Sequence, residues 1–208
     1  MNGNSRGNLI DNKPAGGKRS ELRFLLPLAM ILTVAAIACG GSTSGSSSIV
    51  GDGNSSGSNN PAPDFTITMF QGQDAEGGEE VSLHSLIGDQ PVVLNFWAGL
   101  CPPCRAEMPD LQAFNEEFKD RALLLGVDLG QFTGLGTQKD AKDLLAELGV
   151  TYPAGFTSDA DADVIRDYQV LGMPTTIFID RNGEIFNKWT GALNGKILKE
   201  KTLEMLDQ

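Results

Sequence analysis

The chain of 208 residues is poor in the side chains on which many enzymes and metal proteins depend, with one histidine and three cysteines. Catalysis by a Cys–His pair or a Ser–His–Asp triad could run only through His84. That residue lies between a predicted short strand and a helical turn, where a structural role is the simpler interpretation. A structural zinc ion takes four protein ligands, and His84 and the three cysteines are the only candidates of these two types. We therefore expect neither a metal site nor another cofactor.

Positive charge is also scarce, since 16 Lys and Arg side chains stand against 27 Asp and Glu side chains and give a net charge of −11. A small basic excess lies in the first 61 residues, and the remainder of the chain is strongly acidic. Proteins that bind nucleic acid carry a basic surface, so we exclude nucleic acid as a partner. The acidic balance does not by itself select a substrate.

Residues 1–39 follow the plan of a secretory signal. Residues 1–23 are polar and partly basic, residues 24–38 carry no charge, and Cys39 follows directly. As a helix, residues 24–38 would span about 22 Å, which is short of the roughly 30 Å of a bilayer core. Residues 36–40 resemble a bacterial lipobox, which implies lipidation of Cys39 and a membrane anchor. An uncleaved signal anchor and ordinary cleaved secretion are the alternatives.

Two segments follow the signal. Residues 40–61 consist almost entirely of Gly, Ser, Thr and Asn, a composition that predicts a flexible tether. Residues 62–208 alternate between strand and helix patterns, which predicts one α/β domain. Its predicted elements are an N-terminal hairpin at 63–70 and 81–83, buried strands at 91–96, 122–128 and 177–179, and helices after 101, over 141–148 and over 195–206.

Two other stretches of the domain have more than one interpretation. The Gly-rich loop at 130–137 is interpreted as an ordinary surface connection, with contact to a substrate as the alternative. The acidic residues at 158–163 are interpreted as the start of a helix that runs through Tyr168. A calcium site is rejected because the EF-hand pattern requires Gly and Glu at positions that here hold Val164 and Val170.

A Cys-Pro-Pro-Cys motif at residues 101–104 joins the buried strand at 91–96 to the helix that follows. Two cysteines at this spacing, where a strand turns into a helix, indicate a dithiol redox site. As the N-cap, Cys101 would face unpaired N–H groups and the positive end of the helix dipole, which both favour its thiolate. We predict a reversible disulfide in which Cys101 is the exposed attacking thiol and the more deeply placed Cys104 is the resolving thiol.

Glu107 is the predicted proton acceptor for the resolving cysteine. It lies three residues after Cys104, on the helix face that Met108 marks as buried. A half-buried carboxyl has a raised pKa and can exchange a proton near neutral pH. The alternative is a solvated glutamate, or one that is paired with Arg105 or Arg121.

Residues 97–98, 101–109 and 172–176 resemble the TlpA/ResA-like thioredoxins, a family of membrane-tethered, extracytoplasmic thiol-disulfide oxidoreductases. The resemblance covers roughly residues 62–206, and Leu100 departs from it because the family commonly has an aromatic residue there. It implies a thioredoxin-like fold in the α/β class, in which helices flank a central mixed β-sheet on both faces and an N-terminal β-hairpin is added.

The same resemblance implies a function. The chain would reduce disulfide-bonded proteins at the extracytoplasmic face of a bacterial cell membrane, with cytochrome c maturation as one role. A membrane thiol-transfer protein would be its electron donor. The family's glutamate at the position of Glu107 is held to tune the cysteine pair, and Asn95 stands where many thioredoxins carry a buried acid.

The resemblance also implies the substrate-binding residues. Pro174 would be cis and opposite the cysteine pair, so that the backbone of Met173 offers an edge to a substrate strand. A trans proline at the start of a strand is the alternative. Pro102 and Pro103 lack N–H groups that would in any case have no partner in the first helical turn, and together with Trp97 they complete the predicted substrate surface.

Two other functions remain open. A thiol peroxidase could share the fold, but the Pro-x-x-x-Thr-x-x-Cys context that is usual for such an enzyme is absent. A chaperone or binding module could carry the same two cysteines as a purely structural disulfide. A comparison of disulfide reduction by the wild type and by a Cys101→Ser variant separates these alternatives.

Overall fold

The computed structural model describes residues 60–72 and 79–208. The predicted signal at 1–39, with Cys39, and residues 40–59 of the predicted tether lie outside the described residues. Seven strands are β1 (Thr66–Gln71), β2 (Glu80–Ser82), β3 (Val92–Trp97), β4 (Leu123–Asp128), β5 (Ala154–Phe156), β6 (Thr175–Ile179) and β7 (Ile185–Thr190). They form one mixed sheet in the order β2-β1-β5-β4-β3-β6-β7.

The α-helices of the described chain are α1 (Pro102–Phe118), α2 (Gly130–Thr133), α3 (Gln138–Leu148), α4 (Val164–Asp167) and α5 (Gly195–Leu206). Short 3₁₀ turns cover Leu83–Leu86 and Asp159–Asp161. The three long helices begin at N-caps that the sequence supplies, since the side chains of Cys101, Thr137 and Asn194 each accept a backbone N–H of the first turn. In the part of the chain that the structure describes, no helix is both long and apolar enough to cross a bilayer.

Strand β3 is a central strand that is buried on both faces, as its apolar sequence predicts. It pairs in parallel with β4 and antiparallel with β6, and all six of its residues are buried. Its side chains alternate between the faces, with Val93 and Trp97 on one and Leu94 and Phe96 on the other. The end of β3, and with it residues 98–101, therefore lies at the end of the sheet where β4 also ends.

Helices cover both faces of the sheet, as predicted. On one face, α1, α3 and α5 pack around a core cluster that includes Cys101 and Cys104. On the other face, a second cluster holds apolar side chains of the N-terminal hairpin together with Val164 of α4 and Tyr168. The long helices thus share the face on which the cysteines lie.

The N-terminal hairpin is confirmed, and the ordered contacts start before it. Strand β1 pairs antiparallel with β2 and, on its other side, with β5. Asn60, which composition assigns to the tether, accepts the N–H of Ile185 at 2.8 Å, and the N–H of Ala62 donates to the Gly183 carbonyl at 2.8 Å. These bonds tie the start of the described chain to the turn between β6 and β7.

Two segments differ from the sequence interpretation. The single helix predicted through Tyr168 is wrong, because the segment divides into a 3₁₀ turn and the four-residue α4. Neither Ser158 nor Asp163 makes a side-chain cap bond, so the segment lacks the N-cap that the sequence interpretation assumed. The Gly-rich loop at 130–137 contains α2, which ends at Gly134 in the left-handed region with φ of 70°.

Candidate active site

The disulfide lies at the first turn of α1. Cys101 and Cys104 are bonded to each other, and the Cys101 sulfur also accepts the backbone N–H of Cys104 at 3.3 Å, as an N-cap does. Pro102 and Pro103 occupy the first two helical positions, where their missing N–H groups lose no intrahelical bond. The positive end of α1 therefore points at the Cys101 sulfur and stabilises a thiolate there after reduction.

The two sulfurs differ less in exposure than the sequence suggests. Cys101 is 3% exposed and Cys104 is fully buried. Cys101 is therefore the more exposed of the two cysteines, as predicted, but it is itself buried in the disulfide form. The exposed surface beside it belongs to Pro102, Pro103 and Leu100, and Leu100 is 60% exposed. The exposed side chains next to Cys101 are therefore apolar.

Glu107 is buried one helical turn after Cys104 and is 2% exposed. Its Oε1 accepts the Asn95 Nδ2–H at 2.8 Å, and its Oε2 accepts the backbone N–H of Leu193 at 2.9 Å. Burial removes the carboxylate from water and raises the pKa of Glu107 to about 7, although both hydrogen bonds act in the opposite direction. The alternative pairing with Arg105 is wrong, because Arg105 binds an acid of α3 on the surface. A carboxyl with this pKa changes protonation near neutral pH.

Asn95 can accommodate both protonation states of this buried carboxyl. Its Nδ2 donates to Glu107 and, at 3.1 Å, to Thr176 Oγ1 on β6. Its Oδ1 is buried and has no hydrogen-bond partner in the described part of the chain. An amide that turns about its last bond exchanges donor for acceptor. In that orientation, Oδ1 can accept the proton of a neutral Glu107.

Trp97 was predicted to contact substrate, and the structure places its side chain in the core. The side chain is fully buried, and Nε1 finds no hydrogen-bond partner among the described residues. A Cβ at Gly126 of β4 would lie 3.0 Å from Trp97 Nε1 and 3.2 Å from the Tyr152 ring. The missing side chain at Gly126 thus makes room for two large rings in the cluster that holds both cysteines.

Pro174 and Met173 lie at the same end of the sheet as the disulfide. The Met173–Pro174 peptide bond is cis, as predicted. In the antiparallel register of β3 and β6, Phe96 pairs with Thr175, so Pro174 is level with the residue that ends β3. Pro174 is buried, Met173 is half-buried, and Met173 packs against the cluster that contains the cysteines. The fold therefore brings Pro174 to the end of the sheet where the turn at residues 98–101 begins.

His84 has contacts that fit a structural role. Its Nε2 hydrogen-bonds with the Ala62 carbonyl at 2.7 Å, and its Nδ1 lies 4.0 Å from Asp64. Both partners belong to the segment before β1, so His84 ties the first 3₁₀ turn to that segment. Within residues 60–72 and 79–208, no three His, Cys, Asp or Glu side chains gather as metal ligands.

Sequence reasoning missed Asp128, a second buried carboxyl at this end of the sheet. It ends β4 in register with Trp97 and is 1% exposed. Burial raises the pKa of Asp128 to about 6 and the like charge of Asp140 acts in the same direction, whereas the N–H groups of Gly130 and Gly99 oppose the change. A signal was present, because an acid that ends a buried strand beside the cysteine strand must lie near the motif.

Comparisons with known proteins point to one family. Residues 58–188 match the AhpC/TSA family. The thiol-disulfide oxidoreductase ResA of Oceanobacillus iheyensis is 36% identical over 132 residues, which cover 64% of this chain and 64% of the relative. ResA of Geobacillus kaustophilus is 32% identical over 146 residues, which cover 70% of this chain and 75% of the relative.

A solved structure extends the agreement to the fold. The solution structure of a thiol:disulfide interchange protein from Bacteroides sp. matches with a TM-score of 0.59 at 26% identity, over 72% of this chain and 90% of that chain. The family match covers more than half of the sequence, and both relatives carry the same name. The chain therefore belongs to the AhpC/TSA family and is a ResA-like protein with a thioredoxin-like α/β fold.

Proposed function

We propose that this chain is a thiol-disulfide oxidoreductase that reduces disulfide bonds in protein substrates. The observation that carries the proposal is the Cys101–Cys104 disulfide at the start of α1, with the buried Glu107 one turn behind it. The reaction needs a sulfur that is stabilised as a thiolate, a second sulfur and an acceptor for the second proton. Relatives named thiol-disulfide oxidoreductases support the same conclusion.

The reaction has two exchange steps. In the reduced protein, the Cys101 thiolate attacks one sulfur of the substrate disulfide, forms a mixed disulfide and releases the other sulfur, which takes up a proton. Glu107 then accepts the proton of Cys104, and the Cys104 thiolate attacks the Cys101 sulfur and displaces the second substrate sulfur as a thiolate, which takes up a proton from Glu107 or water. The substrate gains two electrons and two protons, and the protein returns to the Cys101–Cys104 disulfide.

The surface around the disulfide suits an extended polypeptide. Leu100, Pro102 and Pro103 are exposed beside Cys101 and offer apolar contact to the residues that flank a substrate cysteine. Met173 and Pro174 lie on the side of β6, where the Met173 backbone would pair with the substrate chain. We expect substrates to bind through their backbone and apolar side chains, which allows many sequences.

The predicted signal at 1–39 and tether at 40–61 extend the proposal to a location. A lipid on Cys39, or an uncleaved signal, would hold the domain at the extracytoplasmic face of a bacterial cell membrane. The tether would give the domain a reach of about 26 Å. Because each turnover leaves a disulfide, a reductant is needed, and we propose a membrane thiol-transfer protein as electron donor. Proteins that mature outside the membrane, including cytochromes c, are candidate substrates.

Insulin reduction tests the proposed activity. With dithiothreitol as reductant, the wild-type protein is expected to precipitate insulin faster than dithiothreitol alone. Cys101→Ser is expected to fall to the rate of dithiothreitol alone, because no thiolate can start the exchange. Cys39→Ser, the same substitution at the cysteine outside the motif, is expected to keep the wild-type rate. Wild-type activity in Cys101→Ser would overturn the proposal.

The same preparations separate the two alternatives. A thiol peroxidase would consume hydrogen peroxide with dithiothreitol and would show no insulin reduction above the background. A chaperone or binding module would act on unfolded protein equally well with and without Cys101. Either result would replace the proposed function.

Membrane attachment has a separate test in a bacterial host that processes the complete chain. If Cys39 is the lipidated residue, Cys39→Ser is expected to release the domain or to accumulate as a larger precursor. Membrane fractionation and intact-mass measurement distinguish these forms. Cys101→Ser is the control, since it leaves residues 36–40 intact and should be processed normally. Unchanged mass and membrane retention in Cys39→Ser would indicate an uncleaved signal anchor instead.

A further inference from the structure

The active-site turn (residues 98–101) packs backbone to backbone against the β4–α3 loop (residues 129–136). The N–H of Leu100 donates to the Leu135 carbonyl at 2.7 Å, and the N–H of Leu129 donates to the last carbonyl of β3 at 2.9 Å. The second bond continues the pairing of β3 and β4 beyond their last register pair, and the first ties the turn to the far end of the loop. The active-site turn is therefore fixed to the β4–α3 loop.

Three glycines make this close packing possible. A Cβ at Gly99 would lie 2.5 Å from the backbone nitrogen of Ala141, and a Cβ at Gly130 would lie 2.9 Å from the Gly136 carbonyl oxygen. A Cβ at Gly136 would lie 3.2 Å from the Leu100 nitrogen. Only glycine lets backbone approach backbone so closely. The active-site turn, the β4–α3 loop and the start of α3 thus form one packed unit.

Asp128 lies where the parts of this unit meet. Its Oδ1 accepts the N–H of Gly130 at 3.1 Å, and the N–H of Gly99 also faces the carboxyl and lowers its pKa. Its Oδ2 is buried and unpaired as far as the described chain extends. The charged residue that acts on Asp128 is Asp140 of α3, and hydrogen bonds from Thr137 lower the pKa of Asp140 and keep it ionised.

We propose that Asp128 is a positioning residue for disulfide exchange, whose carboxylate holds the N–H groups of Gly99 and Gly130 and so fixes the turn that presents Cys101. The inference rests on the proposed function and assigns Asp128 a role through the turn, without contact to substrate. Both N–H groups favour the charged form of Asp128. A charged acceptor binds an N–H more strongly than a neutral acid or an amide does, so loss of the charge should loosen the turn.

The two buried carboxyls can be studied separately. Burial raises the pKa of Asp128 to about 6, so the active-site turn should loosen as the pH falls through this value. Glu107 changes protonation at about pH 7 and serves Cys104. In a Cys104→Ser parent the reaction stops at the mixed disulfide, and its rate reports the Cys101 step alone.

The test uses the full chain with Cys104→Ser and a model disulfide. The rate constant of mixed-disulfide formation is divided by the Cys101 thiolate fraction, which is read from thiolate ultraviolet absorbance. This normalised rate constant should decline as the pH falls through about 6. Adding Asp128→Asn should lower it by about ten-fold above that pH and abolish the decline. Asp120→Asn, at an exposed aspartate, should behave like the parent.

Two results would overturn the inference. One is an unchanged normalised rate constant in Asp128→Asn, even with a lower melting temperature, because a purely structural aspartate alters stability without altering the folded site. The other is a change in Asp128→Asn that affects only the Cys101 thiolate fraction. This would mean that Asp128 acts on Cys101 through its charge and does not position the turn. A Cys104→Ser parent that forms no mixed disulfide would instead refute the proposed function, and the inference would fail with it.

If Asp128→Asn does not fold, amide hydrogen exchange in the Cys104→Ser parent tests the inference. The N–H of Leu100 donates to Leu135 in the packed unit, so its protection factor in the Cys104→Ser parent reports how tightly the turn is held. Protection should fall as the pH drops through about 6. Constant protection at Leu100 across this range would overturn the inference.

Discussion

Glu107→Gln is expected to slow the second exchange step, the release of reduced substrate from Cys101, by about 10²–10⁴-fold near neutral pH. The variant removes the carboxyl that is proposed to take the proton of Cys104 and leaves a side chain of the same length. Its amide can keep both hydrogen bonds at this position. The amide oxygen accepts the Leu193 N–H, and the amide nitrogen donates to Asn95 Oδ1 once the Asn95 amide turns. The fold and the disulfide should therefore persist.

The size of this effect follows from the position of Cys104. The first N–H groups of α1 are directed at the Cys101 sulfur, and the N–H of Cys104 itself donates to that sulfur, so the helix dipole favours the Cys101 thiolate over that of Cys104. Cys104 is fully buried, and burial disfavours its thiolate. Glu107, with a pKa of about 7, can take that proton at neutral pH. The sequence places no other acid within one helical turn of Cys104.

Single-turnover reduction of a chromogenic disulfide, followed by stopped flow across pH, measures this step. For the wild type, the rate constant of the second phase should rise through about pH 7 as Glu107 ionises. Glu107→Gln should lack this rise and should accelerate only at higher pH, where solvent takes the proton. Glu116→Gln, at an exposed glutamate on the same helix, is the matched control and should follow the wild type. Superimposable profiles for Glu107→Gln and the wild type would remove Glu107 from the mechanism.

The cysteine site was predictable because it depends on residues that are close in sequence. The N-cap bond of Cys101, the prolines at the first helical positions and the disulfide all lie within one helical turn. Helix start signals and cysteine spacing report on such short-range geometry. The mixed sheet and the cis bond before Pro174 followed from the resemblance to a family, since periodicity alone does not set strand order.

Contacts between distant segments were beyond sequence reasoning. The N–H of Leu193 reaches Glu107 from 86 positions along the chain, and Asn95 meets Glu107 only after α1 packs on β3. No local pattern states which backbone N–H will satisfy a buried carboxyl. Asp128 differs from these cases, because its place at the end of a buried strand was a signal in the sequence. Trp97 was assigned to the substrate surface by the resemblance, and only its packing beside Gly126 and Tyr152 shows that it belongs to the core.

Glu107 should also make the stability of the oxidised protein depend on pH. The pKa of this carboxyl is about 7 in the folded protein, and its ordinary value is 4.5. Between these values the folded protein keeps a proton that the unfolded chain has released. The stabilising contribution is therefore complete below pH 4.5 and is lost as the pH rises through about 7. At about 1.4 kcal/mol for each pKa unit, the free energy of unfolding should fall by roughly 3 kcal/mol over this range.

In Glu107→Gln this decline should be missing, whereas the decline that Asp128 contributes between pH 3.8 and about 6 should remain. Urea unfolding of the oxidised protein, in which the bonded cysteines do not titrate, measures the free energy below pH 4.5 and above pH 7. From the lower to the higher pH, the free energy of unfolding should fall by roughly 3 kcal/mol less in the variant than in the wild type. Glu200→Gln, at an exposed glutamate of α5, should show the same fall in the free energy of unfolding as the wild type. Parallel curves for Glu107→Gln and the wild type would mean that Asn95 and Leu193 stabilise the carboxylate as well as water does, and Glu107 would then be too weak a base to serve Cys104.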